Sequence, residues 1–476
     1  MADIAAGFQS LPVEYQNVVR LAQKRHHITV TPLQTLVGGL SGAIVFLVSV
    51  SFQNPERIEH FVLKLDRKNE KAQSDEIRRH DTAVRRSPPD FAAHHLAQMA
   101  FGRVEADGIL AMFYSIAGQS LRRYKTLSAY EKQSQIEAIF AHSYRHLLSD
   151  WNAARTFEQA VQPTALLEQW LRYRLKPGSH LDNFFETICR VPSSMAGFLI
   201  QGRVLPNPLA YARNPDWWAA IRPLDIMAGF QHGDLNTNNI LVKFAENDEE
   251  IEGYYLIDFA LFKEHMPLVF DLRYLEMSYL ILKQSQLSFT RLVDLIARLG
   301  EADTLDVQQV PIDIAGLCAI MNSTRRAYTR WVEDSHPSLH DDLWGQFWLA
   351  GVAAGLSYCY KIRMGDAERM AGLVYAAANL KRFAALLGLP MPVEASQLYG
   401  ESQFGSGAMS DTTLAASSVK TPPNLPASPT NFIGREAALE DITNLLLQSQ
   451  VRLVTLTGPG GTGKTRLGLE AGRAML

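Results

Sequence analysis

The 476-residue sequence predicts an α+β chain. A large domain over residues 1–395 has a β-rich start and a long helical remainder. A linker at 396–430 then leads to the opening of a truncated α/β module at 431–476. Three observations carry this. Short apolar runs rich in Val and Ile stand between glycines and charged residues around 36–66 and again around 230–260, which is the pattern of strands. After residue 271 apolar residues recur at helical spacing as far as about 387. From 396 to 430 Gly, Ser, Thr, Ala and Pro dominate, and such a stretch buries too little apolar surface to order itself.

In order along the chain, Leu11, Tyr15, Val18, Val19 and Ala22 give residues 11–27 a helical face, with Pro12 tolerable in the first turn. The basic run Lys24 to His27 reads as a solvated helix end. Gly38, Gly39, Ser41 and Gly42 then precede a β-like run, which suits a hairpin whose backbone comes close to a ligand, since glycine has no Cβ to block it. Lys64 stands inside the apolar strand 60–66, where a lone ammonium is costly unless paired. Residues 69–84 are charged and helix-prone. Residues 108–121 run from an apolar strand into a small-residue turn, as a hinge between two lobes would, and its backbone around Phe113 to Ile116 can reach an adenine. Residues 122–228 read as mostly helical, with breaks at Pro163, Pro177-Gly178 and 206–215. Trp217 and Trp218 are expected to pack a helix against the lobe. Ala350 to Leu356 indicates close helix packing, and His336 and His340 read as a helix-start loop rather than a metal site.

Composition excludes several function classes. The chain is 47% apolar and 20% charged with a net charge of −3, so no general affinity for nucleic acid or an anionic membrane is expected. Cys189, Cys318 and Cys359 are widely spaced, form no metal or redox motif, and fit a reducing cytoplasm. No signal peptide is read at the N-terminus, and the apolar run 42–52 is too short to span a bilayer.

The chemistry concentrates in Phe230-Gln-His-Gly-Asp-Leu-Asn-Thr-Asn-Asn-Ile-Leu-Val-Lys243 and Tyr254-Tyr-Leu-Ile-Asp-Phe-Ala260. Asp234, Asn239 five positions on, and Asp258 sit around short β signals. An Asp, an Asn and a second Asp in this arrangement can do phosphoryl transfer: Asp234 as base toward a substrate hydroxyl, Asn239 and Asp258 as ligands of the magnesium that bridges nucleotide phosphates. The plain alternative is an Asp- and Asn-rich turn between strands.

This stretch resembles the aminoglycoside phosphotransferase and choline kinase group, relatives of the protein kinases, in which the catalytic loop reads His-Gly-Asp-Leu and the metal Asp need not be followed by Phe-Gly. The resemblance implies a bilobal, protein-kinase-like fold with a large helical C-lobe, and use of ATP and magnesium. It also implies roles by position. The hairpin with Gly38, Gly39, Ser41 and Gly42 would cover the phosphates. Lys64 would bind the α- and β-phosphates and pair with a glutamate, Glu76 or alternatively Glu70. Asp271 would support the catalytic loop from a helix start, though it is also a plausible N-cap. The long helical insert would hold the substrate pocket.

Beyond the linker, the strand 452–457 runs into Gly458-Pro-Gly-Gly-Thr-Gly-Lys-Thr465, a complete Walker A pattern in a strand–loop–helix setting. Gly458, Gly460, Gly461 and Gly463 would cradle phosphates, Lys464 would reach the β- and γ-phosphates, and Thr465 would hold magnesium. With Asn431-Phe-Ile-Gly-Arg-Glu436 ahead of it, the module resembles the opening of a STAND or AAA-type regulatory ATPase. No Walker B strand or arginine finger follows within the 476 residues. The expectation is therefore that this piece is not a working ATPase, being either part of a longer protein or vestigial. The combination resembles the ternary-complex-associated kinase-like domains of bacterial conflict and defence systems.

Together these readings make the chain a magnesium–ATP-dependent phosphotransferase acting on a hydroxyl of a small molecule or protein. It is expected in the cytoplasm, without nucleic acid or membrane partners, and with self-association open to the NTPase part. The alternative is a pseudokinase that senses a nucleotide or partner and regulates the fused P-loop module.

Overall fold

The computed structural model describes residues 5–36, 43–53, 56–67, 70–115, 124–246, 250–284, 286–301, 304–391, 398–399 and 467. Side chains of residues 70–76 lie outside that description. Contacts divide the chain into units of residues 1–412 and 413–476. Of the second unit only Leu467, buried and helical, is described. The Walker A residues Gly458, Gly460, Gly461, Gly463, Lys464 and Thr465 therefore lie outside the described residues, as do Gly38, Gly39, Ser41 and Gly42.

The first lobe is an antiparallel sheet of β1 (Ile28–Leu36), β2 (Ile44–Gln53), β3 (Glu56–Arg67), β4 (Gln98–Met99), β5 (Val104–Ala106) and β6 (Ile109–Ser115). Its order is β1-β2-β3-β6-β4, with β5 also on β6. Three helices accompany it: α1 (Val13–His26), α2 (Glu70–Arg86) and α3 (Pro89–His95). Helix α1 falls where the apolar spacing put it, with Pro12 just ahead of it as the N-cap rather than in the first turn. The period of two in β3 decides where its side chains go. Phe61, Leu63 and Leu65 face one core with Tyr15, Val18, Val19 and Ala22 of α1. Val62 faces the opposite core, with Leu110, Met112, Leu241, Tyr255 and Ile257. Lys64 shares the parity of Val62 and so points from the sheet toward the second lobe.

The second lobe carries α4 (Gln133–Arg145), α5 (Pro163–Leu171), α6 (His180–Asn183), α7 (Pro208–Arg213), α8 (Phe270–Gln284), α9 (Phe289–Leu299), α10 (Ile312–Ser335), α11 (His340–Cys359) and α12 (Asp366–Leu387). Among them run short strands: β7 (Lys125–Thr126), β8 (Thr156–Val161), β9 (Gly197–Ile200), β10 (Arg203–Pro206), β11 (Leu224–Gln231), β12 (Ile240–Phe244), β13 (Ile251–Leu256), β14 (Lys263–Pro267) and β15 (Leu398–Tyr399). The α+β class holds for the described residues. Two details differ from the sequence reading. The stretch 122–228 is less helical than its pattern suggests, because β8, β9 and β10 find partners far away in sequence or in a local hairpin. Within the linker expected at 396–430, Leu398 and Tyr399 pair in parallel with Gly197 and Phe198. Averaging composition over that stretch hides one apolar pair able to use an open sheet edge.

Helix α11 is buried from Asp342 to Cys359 and lies against α12 at small residues. A Cβ on Gly355 would come within 2.4 Å of the Gly372 carbonyl oxygen, so this crossing needs glycine. Gln346 of α11 reaches out of this core. Its amide nitrogen donates to Met227 O (2.8 Å) and Leu268 O (3.0 Å), and its oxygen accepts Met227 N–H (3.1 Å). That clamp fixes β11 and the entry to α8, the two elements on which the site is built. Trp218 is buried against Phe383 of α12, while Trp217 is only half-buried.

Candidate active site

Strand β11 delivers the chain to His232, Gly233 and Asp234 at the lobe interface. Gly233 has φ +85°, and a Cβ there would meet Leu261 O at 2.5 Å. Both facts require glycine at the middle of His-Gly-Asp. One face of α8 then holds the loop. Asp271, Tyr274 and Ser278 stand at i, i+3 and i+7, the spacing that puts three side chains on one side of a helix. The Asp271 carboxylate accepts His232 N–H (2.6 Å) and Gly233 N–H (2.8 Å). Tyr274 Oη donates to Asp234 Oδ1 at 2.8 Å, and Ser278 Oγ accepts Thr237 N–H at 3.1 Å. Burial pushes the Asp271 carboxyl above its ordinary range, against the opposing pull of His232 and the two N–H donors. Val269, just before the helix, carries φ +80°. That is a strained conformation for a β-branched residue, costing about 1–3 kcal/mol, and it sits at the turn that aims Asp271.

Asp234 keeps part of its carboxylate open to the cleft. Oδ1 is engaged by Tyr274 and faces Lys361 Nζ at 3.6 Å, whereas Oδ2 has only a 3.5 Å contact from Asn236. Burial holds Tyr274 well above the usual phenol range, with the Asp234 charge adding to it, so the phenol is a donor here. Asn239 is buried, and its Nδ2 donates to the Asp234 carbonyl at 2.8 Å. That bond leaves the side-chain oxygen of Asn239 for another partner.

Asp258 follows β13 and has φ +67°. Its Oδ1 lies 2.9 Å from Lys64 Nζ, an ion pair between the two lobes. Burial works against the Asp258 charge, but Lys64 by charge and hydrogen bond, together with His232 and Ala260 N–H, holds the carboxyl below its ordinary range. Lys64 is 3% exposed, so the sequence expectation that it needs a partner is met here by Asp258. Glu76 and Glu70 lie on α2, and their side chains are outside the described ones.

Residue Phe259 joins the lobes further. Its ring lies 4.8 Å from His232 and 5.6 Å from His80 of α2, and His80 lies 4.9 Å from Tyr114 of β6. Burial lowers the His80 imidazole to about 4, so it packs as a neutral ring at pH 7. Arg79 Nη1 donates to Ala260 O at 2.6 Å, a second tie from α2 to this segment.

The structure thus brings Asp234, Asn239, Asp258 and Lys64 to one cleft with Asp271 behind them. Sequence reasoning missed Tyr274, Ser278 and Lys361. The first two were reachable from helical spacing after Asp271, but nothing near Lys361 in sequence marks it. His336 Nε2 accepts from Arg155 Nε (3.2 Å), and His340 Nδ1 lies 3.0 Å from Asp341 in a helix-start turn. Among the described residues no cluster of three His, Cys, Asp or Glu could hold a metal. No described helix is long and apolar enough to cross a membrane.

A family model described as ternary complex associated domain 9 matches residues 159–350, less than half of the chain. The match includes Asp234, Asn239, Asp258 and Asp271 and leaves Lys64 outside. Uncharacterized proteins of Mycobacterium bovis and Mycobacterium tuberculosis are 58% identical over 43 residues, 9% of this chain and 10% of theirs. The chain therefore spans about a tenth of the length of the curated relatives it matches. Among solved structures, a provisionally named aminoglycoside phosphotransferase of Ralstonia eutropha aligns at 9% identity and a TM-score of 0.34, over 77% of this chain and 98% of its own. An ethanolamine kinase of Plasmodium vivax aligns at 12% identity and a TM-score of 0.33, over 78% and 86%. Likenesses this low identify neither a reaction nor a substrate.

Proposed function

We propose that this chain is a magnesium- and ATP-dependent phosphotransferase acting on a hydroxyl acceptor. The observation that carries the reading is the cleft itself: a cross-lobe Lys64–Asp258 pair beside an Asp234 whose loop is held by Asp271. The donor set suits magnesium. Asp258 and the Asn239 side-chain oxygen are hard oxygen ligands, and magnesium usually takes only one or two protein ligands besides phosphates and water. Magnesium would neutralise charge on the phosphate oxygens of ATP. Lys64 would hold those phosphates from the sheet side. Asp234 Oδ2 would take the acceptor proton, while Tyr274 fixes the other oxygen and so the plane of the carboxylate.

The finer assignments rest on motifs. Gly38, Gly39, Ser41 and Gly42 would cover the phosphates, and Glu76 would pair with Lys64. Residues 431–476 would open a STAND- or AAA-type P-loop NTPase through Gly458 to Thr465. Self-association through that part, a cytoplasmic setting and a defence role belong to the same proposal.

The test is transfer of labelled γ-phosphate by the 476-residue chain. Asp234→Asn is expected to lower turnover by roughly 10²–10⁴-fold, the usual worth of a general base, with Mg–ATP affinity unchanged. Lys464→Ala is expected to leave turnover where it was. Turnover that survives Asp234→Asn but is lost in Lys464→Ala would move the active site to the P-loop. Mg–ATP binding without any transfer would favour the pseudokinase sensor.

A further inference from the structure

Several cations gather between Asp234 and the turn after α5. Lys361 lies 3.6 Å from Asp234 Oδ1, with its ammonium over the rings of Tyr274 (4.9 Å) and Tyr358 (4.8 Å). Arg174, in the turn after α5, lies over Tyr173 (5.3 Å) and over Tyr360 (5.6 Å), the neighbour of Lys361. Its Nη1 donates to Trp170 O at 3.3 Å, and its Nε is buried with no hydrogen-bond partner. Lys263 is the register partner of Gln231, one residue before His232. Arg172 and Lys176 line a cleft of 800 Å³ beside the same turn, which Glu168 also lines. Among the described residues no carboxylate pairs with Arg172, Arg174, Lys176 or Lys263, and Asp182 is taken by Arg213.

Aromatic faces hold a guanidinium or ammonium in place while leaving its charge uncompensated. The charges also feel one another. Burial, then Arg172, Arg174 and Arg79, bring the Lys263 ammonium down to about 8, against the opposing pull of Asp271. Burial lowers Lys361 too; Asp234 opposes this and Arg174 adds to it. Like charges gathered this way disfavour the empty site and favour an anion in it.

We propose that the acceptor is a small anionic alcohol, a hydroxyl compound bearing a phosphate or carboxylate, whose acid group is held by Arg174 and Lys263. This rests on the phosphotransferase reading. The acceptor oxygen bonds to the γ-phosphorus of ATP as the bond to the β,γ-bridging oxygen breaks. ADP leaves with that electron pair, and the hydroxyl proton passes to Asp234. A cationic amino alcohol would instead meet Lys361 and Arg174 as like charges.

The experiment has two readouts on the 476-residue chain. Calorimetry in the presence of a non-hydrolysable ATP analogue measures binding of glycerol phosphate, gluconate, inorganic phosphate, choline and an aminoglycoside. Labelled ATP measures transfer to the same alcohols. The expected result is binding of the anions only, weakened tenfold or more in Arg174→Gln and partly kept in Arg174→Lys, with nucleotide affinity unchanged. Phosphate-bearing and carboxylate-bearing probes distinguish which acid the site prefers. Binding or phosphorylation of choline or the aminoglycoside, or anion binding indifferent to Arg174, overturns the inference while leaving the transferase reading intact. Arg174-dependent anion binding without transfer to any alcohol keeps the anion site and sinks the transferase.

Discussion

Two ion pairs in this molecule have opposite surroundings. Arg273 and Glu276 of α8 are 0% exposed and 2.5 Å apart. Glu276 also accepts from Tyr375 Oη (2.9 Å) and Thr324 Oγ1 (3.5 Å), Arg273 donates to Asn379 Oδ1 (2.7 Å), and its guanidinium lies 4.2 Å over Phe347. Partners from α8, α10, α11 and α12 meet there, so the pair pins four helices. Lys64 and Asp258 join two lobes instead, and Asp258 remains one-fifth exposed toward the cleft. In the first pair fixed partners take both carboxylate oxygens. The second keeps capacity for a ligand. A low dielectric makes the enclosed network a strong structural commitment, while the pair at the cleft keeps part of its carboxylate open.

The comparison can be broken by substitution. Lys64→Met is expected to lower phosphoryl transfer by more than about 100-fold, by analogy with the large rate effects of charge-stabilising groups in phosphoryl transfer. Its melting midpoint should fall only modestly: Asp258 loses the cation that stabilises its charge, but its one-fifth-exposed carboxylate can turn to solvent. Glu276→Gln should do the reverse. Removing the charge leaves Arg273 and the neighbouring Arg325 in the core without their carboxylate, which costs about 3–5 kcal/mol in a denaturant titration. The folded fraction should still bind Mg–ATP. A large stability loss in Lys64→Met with a silent Glu276→Gln would invert the assignment.

Smaller pH effects sharpen the same contrast. The folded Asp258 carboxyl titrates below its unfolded value. Its contribution to stability is therefore fully present above the ordinary carboxylate range and is lost as pH falls through the folded value. Asp258→Asn should flatten that part of the acid limb of the stability curve. Lys263 gives a slope of the same sign on the basic side, for a different reason: there the fold disfavours the charged form. Its ammonium titrates at about 8 when folded and higher when unfolded, so the unfolded chain binds more protons between these values and stability rises with pH across that window. Anion affinity should fall over the same window as the charge is lost, and Lys263→Met should remove that fall in a calorimetric pH series.

The sequence alone determined the α+β class, the helices after Phe270 and the residues of the loop, because strand and helix periods and the His-Gly-Asp spacing are local. That position 233 needs glycine came from the structure, through its φ of +85° and the closeness of Leu261 O. Only the tertiary structure decided which charges meet. Lys64 and Asp258 are 194 residues apart, and their pairing follows from the parity of β3 over β13. Lys361 and Arg174 reach the Asp234 cleft from the end of α11 and the turn after α5, two places with no motif of their own. Periodicity fixes the face a residue occupies, but a partner across the cleft is set by packing between elements far apart in the chain. For that reason the residues proposed to do the chemistry were legible from the sequence, and those proposed to choose the acceptor were not.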